Sequence, residues 1–200
     1  MKAAAFPEEA LQLRIQIREI EPAIFRVIQV TNTRTFHLLH EAIQYAFGWK
    51  GYHLYQFHVG RTRVAERGDF DEPPFPRHPR TVRLGDLVGK DVTSFNYVYD
   101  LGDDWIHDIA IEKRFAPDSA VRYPICLDGA RAAPPEDCGG VPGYEDFLEA
   151  WRDPKNEEHE HMRSWAGPRY DPERFDLKLL NEVLKSLRAQ PSKRGRGAEA

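Results

Sequence analysis

The sequence predicts an α+β fold: a mainly antiparallel sheet built from hairpins, one helix after the second strand, and a helical C-terminal part. Three observations carry this. Apolar and polar residues alternate at Leu11, Leu13, Ile15 and Ile17, and again at Phe95, Tyr97 and Tyr99 and at Trp105, His107 and Ile109, the period-two mark of strands with one buried face. One early segment instead repeats at three- and four-residue steps, through Leu38, Leu39, Ala42, Ile43, Ala46 and Phe47. From about residue 144 onward helical periodicity takes over, so strands dominate the front of the chain and helices the back.

Each element has its own local reason. Residues 11–17 form the first strand, Glu21-Pro22 interrupts it, and residues 24–30 resume with β-branched side chains, which predicts an antiparallel hairpin. Thr33 or Thr35 caps the helix that follows, Gly48 stops it, and its apolar face should pack on the hairpin. Residues 52–59 read as an aromatic-rich strand, with a short partner at 61–65 across Gly60. Residues 66–80 hold four prolines and form a surface loop, from which a short helix at 81–88 leads out. Residues 95–101 and 105–111 form a hairpin across Gly102-Asp103-Asp104, whose residue types suit a tight turn. Residues 123–127 are short and apolar; residues 128–143 form a loop with three prolines and four glycines, a length that is usually functional or packed as a unit. Helices are expected at 144–151, 156–165 and 172–188, the last with Asp171 as cap and Pro172 in its first turn. Residues 1–188 read as one domain and 189–200 as a disordered basic tail.

With 41% hydrophobic and 30% charged residues, the chain has enough apolar surface to fold alone, and no run approaches a membrane span. Residues 1–10 show no signal-peptide pattern, so the cytoplasm is the expected compartment and Cys126 and Cys138 are expected to stay reduced. The net charge of −4 is unevenly spread: residues 1–64 carry +3, residues 65–120 and 121–187 carry −5 each, and the remainder +3. An anionic partner should therefore approach the first third or the tail. Nucleotide-binding glycine loops and the GxSxG elbow are absent, and His37/His40 and His159/His161 lack metal-site spacing.

Two constellations have chemical potential. Asp100, Asp103, Asp104, His107 and Asp108 crowd one hairpin turn, where carboxylates need solvent, a basic partner or a cation; alternatively the turn is simply a turn and His107 belongs to the core row of Trp105. In the loop at 134–140, two prolines lead to Glu136, Asp137 and Cys138, and Gly139 and Gly140 allow positive φ. Such a loop presents Cys138 as nucleophile or ligand, offers N–H groups to an anion, or packs tightly around a buried thiol. Cys126, between Ile125 and Leu127, is expected to be buried and inert.

Several spaced motifs carry a resemblance. Ile24-Phe25-Arg26, Gly48-Trp49 with residues 53–57, the stretch 97–107, residues 124–129, 134–140 and Gly143-Tyr144 together resemble the plasmid pRiA4b open-reading-frame-three family over about residues 10–188. The chain departs from that pattern at Leu101 and Ile106, where Phe and Glu are usual, so no carboxylate is available at 106. The resemblance implies an α+β domain linked to plasmids and transposable elements, and supplies no activity. The leading expectation is a cytoplasmic binding or accessory module with a polar site formed by Asp103, Asp104, His107, Glu136, Asp137 and Cys138, with His53 from one of the matching blocks. The alternative is a metal-dependent hydrolase, phosphodiesterase-like, with a divalent cation held by Asp103, Asp104, His107, Glu136 and Asp137; it requires the two loops to meet. A nucleic-acid surface, if present, would use Arg14, Arg18 and Arg26.

Overall fold

The structure is a computed structural model that describes residues 6–68 and 71–188; the expected tail at 189–200 lies outside the described residues. Among these, seven strands and five helices follow in the order β1 (Ala10–Ile17), β2 (Phe25–Thr31), α1 (Phe36–Phe47), β3 (Tyr55–Val59), β4 (Thr62–Ala65), α2 (Leu84–Leu87), β5 (Ser94–Tyr99), β6 (Trp105–Phe115), β7 (Ile125–Ala130), α3 (Gly140–Arg152), α4 (His159–Ala166) and α5 (Leu177–Arg188). The strands make one sheet, β4-β3-β5-β6-β1-β2-β7, in which every neighbouring pair is antiparallel.

Register explains which face is buried. Ile15 lies opposite Arg26 and Ile109, Ile17 opposite His107, and His107 opposite Tyr97. The alternating apolar residues of β1, β5 and β6 therefore share one face, as their periodicity predicts. That face is covered by α1, whose Leu39, Ala42 and Ile43 are fully buried, and by Tyr144 and Phe147 of α3 and Leu180, Leu184 and Leu187 of α5 in one continuous core. Thr35 caps α1 by accepting from the Leu38 N–H, and Gly48 ends it in the left-handed region. The opposite face is polar. Arg18 pairs with Asp108 through two hydrogen bonds of 3.1 and 2.6 Å, and Gln12 links Glu112 to Gln29.

Several boundaries differ from the sequence reading, and those nearest the site have local reasons. β3 begins at Tyr55 rather than residue 52, because Gly51 takes a positive φ and the 49–54 segment wraps over the end of the sheet instead. β7 runs on through Gly129 as the partner of Arg26. Gly139, left-handed at φ 90°, launches α3 four residues early, and α4 begins only at His159. α5 starts at Leu177, not Pro172: Asp176 receives the Leu179 N–H, while Pro172 accepts from the Ala132 N–H and Phe175 lies over the Arg26 guanidinium.

Both sheet edges are covered. Beyond β4, Arg77 exchanges main-chain hydrogen bonds with Arg63 and Ala65. Beside β7, the Asn181 side chain on α5 accepts from the Cys126 N–H at 2.9 Å and donates to its carbonyl at 2.8 Å. Such masking removes a template for strand pairing.

Two core histidines should make the fold acid-sensitive. His107 is fully buried among Phe47, Trp49 and Tyr97, with Nδ1 3.0 Å from the Trp105 carbonyl, and burial pushes it down to about 4. His40 stacks on Tyr55 at 3.6 Å with Nδ1 2.7 Å from the Tyr97 hydroxyl; burial, with help from His37 and Arg80, pushes it down to about 3. Both rings are neutral when folded and take protons near pH 6.5 when unfolded, so their stabilisation is complete above that pH and is lost as pH falls toward 4 and 3. Urea midpoints should drop between pH 7.5 and 5 by the equivalent of about 2 kcal/mol per histidine, and His107→Gln should flatten the slope. A stability independent of pH over this window would contradict the burial of both rings.

Candidate functional site

At the end of the sheet where β3, β5 and β6 terminate, the hairpin turn after β5 and the loop before α3 meet. The Asp103 carboxylate accepts the Gly139 N–H at 3.0 Å, and a Cβ on Gly140 would lie 2.6 Å from the Asp103 carbonyl oxygen, so only glycine permits this approach. The 49–54 segment closes the third side. Trp49 Nε1 donates to the Pro134 carbonyl at 2.9 Å, and Glu136 Oε1 accepts from the Lys50 N–H at 2.8 Å and the Tyr99 hydroxyl at 2.9 Å.

Within this junction three side chains converge. His53 Nε2 lies 3.0 Å from Asp137 Oδ1 and 3.4 Å from Asp100 Oδ2, and one ligand atom from each residue falls within 4.8 Å of the others. Atoms bound to one ion at about 2.0–2.2 Å lie about 3 Å apart, so the imidazole already stands at ligand spacing from either carboxylate. Nε2 is nevertheless buried and makes no well-aligned hydrogen bond.

Backbone strain aims the carboxylates. Asp100 and Asp137 both occupy the left-handed region, at φ 56° and 60°, which short polar side chains tolerate better than most. Asp100 uses Oδ1 to accept the Gly102 and Asp103 N–H groups, leaving Oδ2 for His53. Asp137 accepts the Tyr52 hydroxyl on Oδ2 at 2.8 Å, leaving Oδ1 for His53. Glu136 and Asp137 push the Tyr52 phenol well up, so it stays protonated as a donor. Glu136 Oε2, beside them, is buried without a partner.

The structure thus brings His53, Glu136 and Asp137 together and adds Asp100, which belongs to the acidic hairpin but not to the expected ligand set. It does not bring the others in. Asp103 holds the loop, Asp104 sits exposed at the turn with φ 54°, and His107 faces the core two residues along β6 from Trp105. His107 is therefore corrected from a candidate ligand to a packing residue. Of the nucleic-acid candidates, Arg26 is buried, donating to the carbonyls of Ala46, Phe25, Ala130 and Arg131, and presents no charge to a partner. Arg14 covers the Phe25 ring at 3.6 Å and Arg18 is neutralised by Asp108. The Tyr52 hydroxyl and the Lys50 main-chain N–H support the site without any motif announcing them, and Tyr99 stands in a matching block without having been named for the site.

Both thiols are free, Cys126 buried and Cys138 half-buried. Burial, followed by Asp103 and Asp137, pushes Cys138 up to about 12, and burial pushes Cys126 up to about 11. Iodoacetamide at pH 7.5 should modify Cys138 more than about 100-fold slower than a free thiol, with a rate still climbing at pH 10. Rapid modification at neutral pH would reveal a positive group beside the sulfur.

Beside the triad runs a cleft of about 870 Å³, bounded by the end of α1, the 132–137 loop, the 165–171 segment and α5. Tyr52, Glu136 and Asp137 belong to its wall, so Asp137 is the member of the triad that reaches it, while His53 and Asp100 lie behind.

A hairpin sheet backed by α1, α3 and α5, with its polar junction at one end, defines the class. The chain belongs to the family described as plasmid pRiA4b ORF-3-like proteins, which it matches over residues 9–179. It is 35% identical over 190 residues to the uncharacterised protein y4hQ of Sinorhizobium fredii (strain NBRC 101917 / NGR234), covering 93% of this chain and 96% of that one. It is also similar to the crystal structure of a protein of unknown function, MM3350, from Methanosarcina mazei Go1, with a TM-score of 0.78 and 38% identity over 86% of this chain and 98% of the other. Among the described residues no helix is long and apolar enough to cross a membrane.

Proposed function

We propose that the protein is a cytoplasmic binding module whose site is organised by one divalent cation held by His53, Asp100 and Asp137. The carrying observation is the buried Nε2 of His53, set between two carboxylate oxygens yet making no well-aligned hydrogen bond. One imidazole and two carboxylates suit a transition ion such as Mn²⁺ or Zn²⁺. The Tyr52 hydroxyl and the main-chain N–H groups of residues 102 and 103 orient the carboxylates, the outer support that raises a ligand's effectiveness.

Calorimetric titration of chelator-treated protein with Mn²⁺ and Zn²⁺ should give one site per chain. Asp100→Asn, Asp137→Asn and His53→Gln should each weaken it by at least about tenfold, whereas Asp104→Asn should leave it unchanged. No saturable binding, or binding indifferent to the three substitutions, would overturn this reading.

A second reading follows from the ligand count. Three protein ligands leave coordination positions open beside a cleft, the arrangement of catalytic rather than closed metal sites. Metal-dependent hydrolysis of phosphodiesters is the corresponding activity, with the ion polarising a phosphoryl oxygen or activating water. Turnover of bis(p-nitrophenyl) phosphate by the Mn²⁺-loaded protein, lost in Asp100→Asn, would establish it; absence of turnover with the cation bound leaves the binding module.

A further inference from the structure

The wall of the cleft combines cationic side chains with exposed aromatic faces. Lys50 and Arg169 are exposed in its wall, and neither forms an ion pair with a described residue. Tyr52 and Trp165 also line it with 54% and 43% of their surface exposed, a large outlay of aromatic face to solvent. Arg174, on the same wall, is already engaged by Asp176 at 3.7 Å. Lys50 and Arg169, the exposed rings of Tyr52 and Trp165 and the Asp137 carboxylate share this wall, with Lys50 Nζ 5.8 Å from the Tyr52 ring centroid, a combination that suits a ligand with an anionic group joined to a flat ring.

We infer that the cleft takes a nucleotide-type phosphate, its phosphoryl oxygens on the cation and on Lys50 and Arg169, its base against Tyr52 and Trp165. This rests on the cation site proposed above and names its ligand class. A phosphate oxygen is a hard ligand for an open position on a divalent ion, lysine and arginine are the usual phosphate partners, and every base offers a π-face that stacks on Tyr or Trp. A cleft of about 870 Å³ lies within the range of small-ligand sites. The carboxylates of Glu136 and Asp137 would repel a phosphate on their own, so binding should depend on the cation.

The chemistry has two sources, a free nucleotide or the 5′-phosphate end of a single strand, and the test separates them. Calorimetry on the Mn²⁺-loaded full chain compares AMP, adenosine, inorganic phosphate, and a short single-stranded oligonucleotide with and without a 5′-phosphate. AMP should bind at least about tenfold tighter than adenosine or phosphate, and chelation should abolish the difference. Lys50→Ala with Arg169→Ala should weaken AMP about tenfold or more while leaving Mn²⁺ affinity intact, and Trp165→Leu should weaken AMP but not phosphate. A phosphorylated oligonucleotide preferred over AMP assigns a strand end; AMP equal or better assigns the free nucleotide. AMP binding no tighter than phosphate, or unaffected by the Lys50/Arg169 variant, overturns the inference. Failure of Mn²⁺ itself to bind would instead overturn the cation site, which the same titration reports first.

Discussion

Replacing Arg26 by Met should remove about 3–5 kcal/mol of stability, enough to leave a domain of ordinary stability near its unfolding threshold. Arg26 is 3% exposed, and its guanidinium lies near the Phe47 and Phe175 rings and donates to four main-chain carbonyls at 2.7–2.8 Å. Burial lowers it only to about 10, so it remains charged at neutral pH without a buried carboxylate partner. The Ala46 carbonyl lies in the last turn of α1, where the negative end of the helix dipole helps hold the charge. Met fills similar space and offers no donor, leaving those oxygens unpaired in the core. Arg26→Lys keeps the charge but loses the planar fork, and should lose about half as much. Urea denaturation with an unchanged m-value is the measurement; a loss under about 1 kcal/mol in Arg26→Met would show that water replaces the guanidinium.

Gly143→Ala should be comparably damaging for a steric reason. A Cβ there would sit 1.9 Å from the Cys138 carbonyl oxygen and 2.8 Å from its carbon, both backbone atoms. The 134–140 loop would have to withdraw, breaking the Asp103 contact to Gly139 and displacing Asp137 from His53. We expect a loss of more than about 3 kcal/mol, hence a fall of about 6–12 °C or more in Tm, together with loss of cation binding. Gly48→Ala is the control: φ is +75° but nothing lies within 4 Å of the added methyl, so only about 1–2 kcal/mol of backbone strain should appear and the cation site should persist. Similar losses in the two variants would mean that the loop yields freely.

These two residues show where sequence reasoning reaches and where it stops. The helix over Phe36–Phe47 and the β5–β6 hairpin were legible because their hydrophobic periods and turn residues are local signals. Arg26 looked like surface charge because its residue type outweighed its position, although it lies opposite Ile15 in a strand pair with one buried face. The hairpin turn and the loop at 134–140 are both recognisable as polar features, and Asp137 is among the expected ligands, whereas Asp100 of the turn is not. His107 was already ambiguous, sharing its row with Trp105. Asp100 follows the buried Tyr99, and alternation alone would point it outward; the left-handed φ that turns its carboxylate to His53 leaves no mark in the sequence. His53 stands 84 residues before Asp137, a distance no spacing rule spans.

The masked edges of the sheet bear on how this protein can recognise anything. Many adaptor domains bind a peptide by adding it as an extra strand, a mode in which the main chain supplies the affinity. Here α5, through Asn181, takes the donor and acceptor that Cys126 would offer such a guest, and Arg77 does the same beside β4. A binding role of the kind proposed above would therefore rest on side chains at the loop end and in the cleft. On the binding reading proposed above, substitutions in the loops would change the ligand and leave the paired edges of the sheet untouched.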